Sequence, residues 1–143
     1  MKADILREIP LKTGVSATLN GHKLTIKGPK GEVTREFVYP KVSVAVESGK
    51  IVLKCYLGTK IEKTIIGSFE SHIVNMVSGV VEPHMYKMKI CSGHFPITVV
   101  VAGSELIVKN FLGEAVPRKV KFAKGVDVKV VGVEVIIISA DKE

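Results

Sequence analysis

The sequence predicts an α+β fold of two tandem, duplicated small domains, each a mainly antiparallel β-sheet with a helix packed on one face. Three observations carry this expectation. Residues 15–32 recur as residues 97–114: Gly21 falls on Gly103, Leu24 on Leu106, Lys27 on Lys109, Gly31 on Gly113 and Glu32 on Glu114, with apolar positions aligned between them. A block that repeats at this length marks two copies of one folding unit, and the differences between copies show which has been specialised. Most of the remaining chain is short apolar-rich runs broken by Gly and Pro, as in Val42-x-Val44-x-Val46, where alternation puts the valines on one strand face. One segment alone changes to the three- and four-residue spacing of a helix.

In the first copy, strands over 15–19 and 23–27 are joined at Asn20-Gly21, a dipeptide that tolerates the positive φ of a two-residue hairpin. Gly28-Pro29-Lys30-Gly31 reads as a tight turn. It lacks the Gly-Lys-Ser/Thr ending and the strand-to-helix setting of a phosphate loop. Strands over 32–37, 42–47 and 50–55 follow, the last two turning at Ser48-Gly49. Ile61, Ile65, Phe69, Ile73, Met76, Val77 and Val80 then gather on one side of a helix over 60–78, which is expected to cover the first sheet. Thr59 with Glu62 makes a capping box at its start, and Gly79 and Pro83 signal its stop. Gly67-Ser68 in mid-helix lowers propensity and is read as a close approach of helix to sheet.

The second copy opens with a strand over 85–92 and continues with strands over 97–102, 105–109, 116–122, 126–131 and 134–139. Ala102-Gly103 and Val131-Gly132 mark its hairpins. A covering helix should begin soon after Ser139, yet the sequence given runs only to Asp141-Lys142-Glu143. The second helix is thus expected to be missing, leaving a bare apolar face for further chain or a partner to cover. The domains are expected at 1–82 and 83–143.

Composition narrows the function. The 143 residues carry 21 Lys and Arg against 14 acids, a formal charge of +7 that attracts polyanions. Net charge does not separate the copies: 12 basic and 8 acidic side chains fall in residues 1–82, and 9 and 6 in residues 83–143. No apolar run reaches the ~18 residues of a membrane span, so no membrane partner is expected. The start Met1-Lys2-Ala3-Asp4 lacks signal or transit character, which makes the cytoplasm the expected compartment. Cys55 and Cys91 stand far apart, suit a reducing compartment and are read as core or near-core residues.

The stretch 109–122 is the candidate for chemistry. Where the first copy has Gly28-Pro29-Lys30, the second has Asn110-Phe111-Leu112, an aromatic and a large aliphatic residue at a turn. Arg118, Lys119 and Lys121 stand beside them, and cations mixed with an aromatic and an amide are what RNA recognition uses. The alternative is a solvated basic strand whose Phe111 tucks under its own domain. Cys91-x-x-His94 is one metal-ligand pair where structural zinc needs two, so neither metal nor cofactor is expected. There is no Gly-x-Ser-x-Gly, no activated-cysteine signature and no close carboxylate pair, so the chain is not read as an enzyme and no small-molecule substrate is expected.

At His94-Phe-Pro-Ile-Thr-Val99, Ile107-Val-Lys-Asn-Phe-Leu-Gly-Glu114 and Pro117-Arg118 the sequence resembles the universal large-subunit ribosomal protein family numbered six, in its archaeal-type branch. Residues 26–37 and 67–79 extend the resemblance over essentially the whole chain. It implies two tandem α+β domains from gene duplication and no catalytic activity. It further implies binding to large-subunit ribosomal RNA near the factor-binding region, beside the stalk base and neighbouring ribosomal proteins. By matching positions, the RNA-facing residues are Lys109, Asn110, Phe111, Gly113, Pro117, Arg118 and Lys119, with His94 in the preceding loop; Lys121 joins them from the basic strand. Ala115 departs from the family, which commonly has a basic residue after this Gly-Glu, and the family continues past 143 into a helix and a basic tail. The alternative is a β-rich adaptor that pairs with another protein through the bare second sheet.

Overall fold

The alternating runs of the first copy fold into six strands: β1 (Ala3–Pro10), β2 (Ser16–Asn20), β3 (Lys23–Gly28), β4 (Gly31–Glu36), β5 (Ser43–Glu47) and β6 (Lys50–Gly58). The computed structural model describes residues 2–143. These strands, helix α1 (Lys60–Val81) and Ala140–Glu143 make up one of its two units. The strands form two three-stranded antiparallel sheets, β1-β6-β5 and β2-β3-β4. The β2–β3 loop is Gly21-His22 rather than Asn20-Gly21, because Asn20 stays in the ladder opposite Lys23. Gly21 takes a φ of +63°, the conformation a II′-type hairpin asks of its first loop residue. Strand β1 was not signalled by its sequence. It pairs with β6 from Pro10 opposite Lys50 to Ile5 opposite Cys55 and reaches Gly58, so β6 continues past Cys55.

Helix α1 runs three residues beyond its expected end. Gly79 is buried inside it and stops nothing; the helix ends where the Glu82 N–H donates to Ser78 O at 2.9 Å, just before Pro83. The buried stripe is Glu62, Ile66, Ile73, Met76, Val77 and Val80, whereas Ile61 is 64% exposed. It packs with Ile9, Leu24, Ile26, Val33, Phe37, Ile51, Leu53 and Cys55 in one core; each fully buried aliphatic side chain contributes about 1.5–3 kcal/mol. Gly67 makes no close approach, since a Cβ there would meet nothing within 4 Å. The tight contact is instead at Gly28, where a Cβ would lie 2.7 Å from Val80 Cγ2.

The second unit, His84–Ser139, holds β7 (His84–Lys89), β8 (Thr98–Ala102), β9 (Glu105–Lys109), β10 (Arg118–Lys121), β11 (Asp127–Val131) and β12 (Glu134–Ser139). Its sheets are β7-β12-β11 and β8-β9-β10, the strand orders of the first unit repeated. Gly103 opens its hairpin at a φ of +61°. A hydrogen bond outside the ladders is repeated as well: the Phe37 N–H donates to His22 O at 2.9 Å and the Phe122 N–H to Ser104 O at 2.8 Å. The fold is therefore the predicted duplicated α+β architecture, with two sheets per copy where one was expected. Among the described residues this unit has no α-helix, and Val135 is its only buried apolar side chain. Strand β10 starts at Arg118 rather than 116, because Pro117 has no N–H to donate. Cys55 is buried as expected; Cys91 is exposed.

Candidate nucleic-acid interface

Strand alternation sorts the cations of the second unit. In a ladder, directly opposed residues point to the same face and successive ones to opposite faces. Lys119 lies opposite Ile107 and Lys121 opposite Glu105, so Lys109, Lys119 and Lys121 share the exposed face of β9 and β10. Lys121 Nζ is 3.9 Å from Glu105 Oε1; among the described residues Lys109 and Lys119 have no ion-pair partner. The corresponding face of the first unit is built differently. There Lys23 lies opposite Glu36 and Lys27 opposite Glu32, with Thr25 and Thr34 hydroxyls 3.1 Å apart between them. Two lysines facing two glutamates leave that face neutral, whereas three lysines facing one glutamate leave its copy with an excess of two positive charges.

The loop before β10 is the other difference. Nine residues separate Val108 from its partner Arg118, but only six separate Ile26 from its partner Val33. Glu32, which the repeat aligns with Glu114, stays in the ladder opposite Lys27, while Glu114 has left the ladder for the loop. Asn110 and Leu112 take φ of +57° and +51°, left-handed values that non-glycine residues adopt at about 1–3 kcal/mol of strain. The side chain of Asn110 offsets this by donating from Nδ2 to Pro96 O at 2.9 Å. Gly113, at a φ of +79°, lies where a Cβ would come within 3.3 Å of the Phe95 ring. Phe95 in turn meets His94 edge-on, ring centroids 4.9 Å apart. The 94–96 loop thus forms a floor on which the longer loop rests.

Arg118 opens β10 opposite Val108, on the face away from Lys119. Its guanidinium lies 4.5 Å from the Phe111 ring centroid, a cation–π contact. It also donates twice to Glu114, from Nε to Oε2 at 2.8 Å and from Nη2 to Oε1 at 2.6 Å. These hydrogen bonds hold the Glu114 carboxyl below its ordinary range and raise the Arg118 guanidinium above its own. Both side chains remain substantially exposed. The structure therefore gathers His94, Asn110, Phe111, Gly113 and Arg118 at one loop cluster, with Pro117 ending the loop, and places Lys109, Lys119 and Lys121 together on the sheet face. Phe111 is half-buried beneath Arg118. Sequence reasoning passed over Glu114 and Phe95. An acid four residues before the first cation of a basic strand was the available signal for Glu114.

The family model for ribosomal protein L6 matches residues 12–82, within the first copy. Similarity to complete relatives spans the whole chain. The large ribosomal subunit protein uL6 of Nanoarchaeum equitans is 39% identical over 150 residues, covering 100% of this chain and 78% of the relative. That of Methanosarcina mazei is 40% identical over 143 residues, covering 100% and 81%. Duplicated architecture, repeated hairpins and full-length similarity agree, and the chain belongs to the ribosomal protein L6 family.

Proposed function

We propose that this chain is a structural, non-enzymatic component of the large ribosomal subunit in the cytoplasm, and that its second unit binds large-subunit ribosomal RNA. The observation that carries the RNA reading is the asymmetry between equivalent sheet faces, neutral in the first copy and carrying Lys109, Lys119 and Lys121 against a single glutamate in the second. Lysines in that arrangement make phosphate contacts, which set affinity and orientation without reading sequence. The loop cluster of His94, Asn110, Phe111, Gly113, Pro117 and Arg118 supplies a second, shaped contact. Its location beside the stalk base, among neighbouring ribosomal proteins, follows the resemblance to the family. Binding of the whole chain to large-subunit ribosomal RNA, measured across 50–200 mM salt, tests this. The parent chain should lose affinity steeply with salt. Lys109, Lys119 and Lys121 replaced together by Gln should lower the log–log slope by about two to three, since each phosphate contact contributes roughly 0.7–0.9. An unchanged slope would remove this face from the interface. Salt-insensitive association with soluble proteins instead would favour the adaptor reading.

A further inference from the structure

Glu114 presents a contradiction within the proposed interface, because an exposed carboxylate beside the Arg118 guanidinium should repel RNA. Its geometry resolves this. The carboxylate takes the side edge of the guanidinium, Nε and Nη2, at 2.8 and 2.6 Å. The carbon of the same group sits over the Phe111 ring, 4.5 Å from its centroid. With that edge held, both hydrogens of Nη1 and the second hydrogen of Nη2 have no acceptor among the described residues, and one hydrogen from each nitrogen forms a further planar fork along the end of the group.

We propose that Glu114 is a positioning residue for RNA: it locks Arg118 over Phe111 so that the end-on fork is presented, ordered in advance, to two oxygens of one backbone phosphate. This rests on the reading of the second unit as the RNA-binding surface. Arginine bidentate to phosphate owes its strength to geometry as well as charge, and ordering the side chain before contact removes entropy otherwise lost on binding. The left-handed Asn110 and Leu112 and the Gly113–Phe95 contact serve the same end, holding Phe111 and Glu114 in place below and beside Arg118. Lys109, Lys119 and Lys121 lie on the opposite face of the sheet and do not take part.

The test is a double-mutant cycle on the full chain, with large-subunit ribosomal RNA transcribed in vitro as the probe. Glu114→Gln removes a negative charge, so simple electrostatics requires tighter binding. Positioning requires weaker binding, by about fivefold to tenfold. In an Arg118→Ala background the same change should no longer weaken binding, because Glu114 acts only through Arg118. Glu114→Asp, which keeps the charge on a shorter stem, should recover only part of the loss. Binding by Glu114→Gln as tight as the parent's, or tighter, with Arg118 present overturns the proposal while leaving RNA binding intact. An equal loss in both backgrounds overturns it too, showing that Glu114 acts independently of Arg118. If the parent chain fails to bind the RNA at all, the underlying reading falls and this one falls with it.

Discussion

Glu62 shows how one side chain can tie two pieces of chain together, the 39–41 segment and the start of helix α1. It is 4% exposed, accepts from the Thr59 N–H at 2.7 Å and from the Thr59 hydroxyl, accepts from the Tyr39 hydroxyl at 3.3 Å, and lies 3.6 Å from Lys41 Nζ. The Thr59 hydrogen bonds, together with Lys41, hold its carboxyl down at about 2, below the ordinary 4.5. A depressed carboxyl contributes stability that is present above its unfolded-state value and lost as pH falls toward its folded one. The first unit should therefore lose thermal stability between about pH 4.5 and 2, and Glu62→Gln should flatten that loss. At neutral pH the same variant should melt about 5 °C lower, as expected for a lost helix cap in a unit of this size. Circular dichroism melts of both proteins across this pH range check the prediction; parallel pH profiles would show that other carboxylates carry the acid sensitivity.

At the scale of the element, two glycines show opposite responses to an added methyl group. Gly67 sits in mid-helix with open space where its Cβ would be, so Gly67→Ala should stabilise the first unit by about 0.5–1 kcal/mol. Gly28 sits where a Cβ would run into Val80, including its carbonyl oxygen at 2.8 Å, so Gly28→Ala should destabilise it by about 1–3 kcal/mol. Urea unfolding of the two variants gives the signs directly. The hairpins, the repeat and the capped helix were legible because alternation, Gly turns and the Thr59–Glu62 spacing are local. Contacts set by remote chain were not. Strand β1 exists through its pairing with β6, and its counterpart β7 was the only hint of it. Which of the candidate residues the fold brings together was not legible, because only the register of β10 on β9 sets Lys119 and Lys121 on one face with Lys109. Glu114 was hidden for the same reason: alignment equates it with Glu32, and only the register shows that it has left the sheet.

Over the whole molecule, the two copies share topology but not burial. The first unit has helix α1 over its sheets and holds nearly all the buried apolar side chains among the described residues, while the second holds Val135 alone. Opening free energy follows buried apolar contact, so amides of β9 and β12 should exchange with deuterium at least about tenfold faster than those of β3 and β6. Large-subunit ribosomal RNA should slow exchange selectively in the second unit, since a ligand stabilises what it binds; equal protection across both units would contradict the proposed contact through the second unit. The three additional residues ahead of β10 also bear on how such a protein changes over time. Lengthening a closed loop from six residues to nine adds only about 0.4 kcal/mol of closure entropy. Once a chain carries two copies of its sheet, matching turns can differ by this much at almost no thermodynamic cost, so one copy can carry a longer loop without risk to the fold of either.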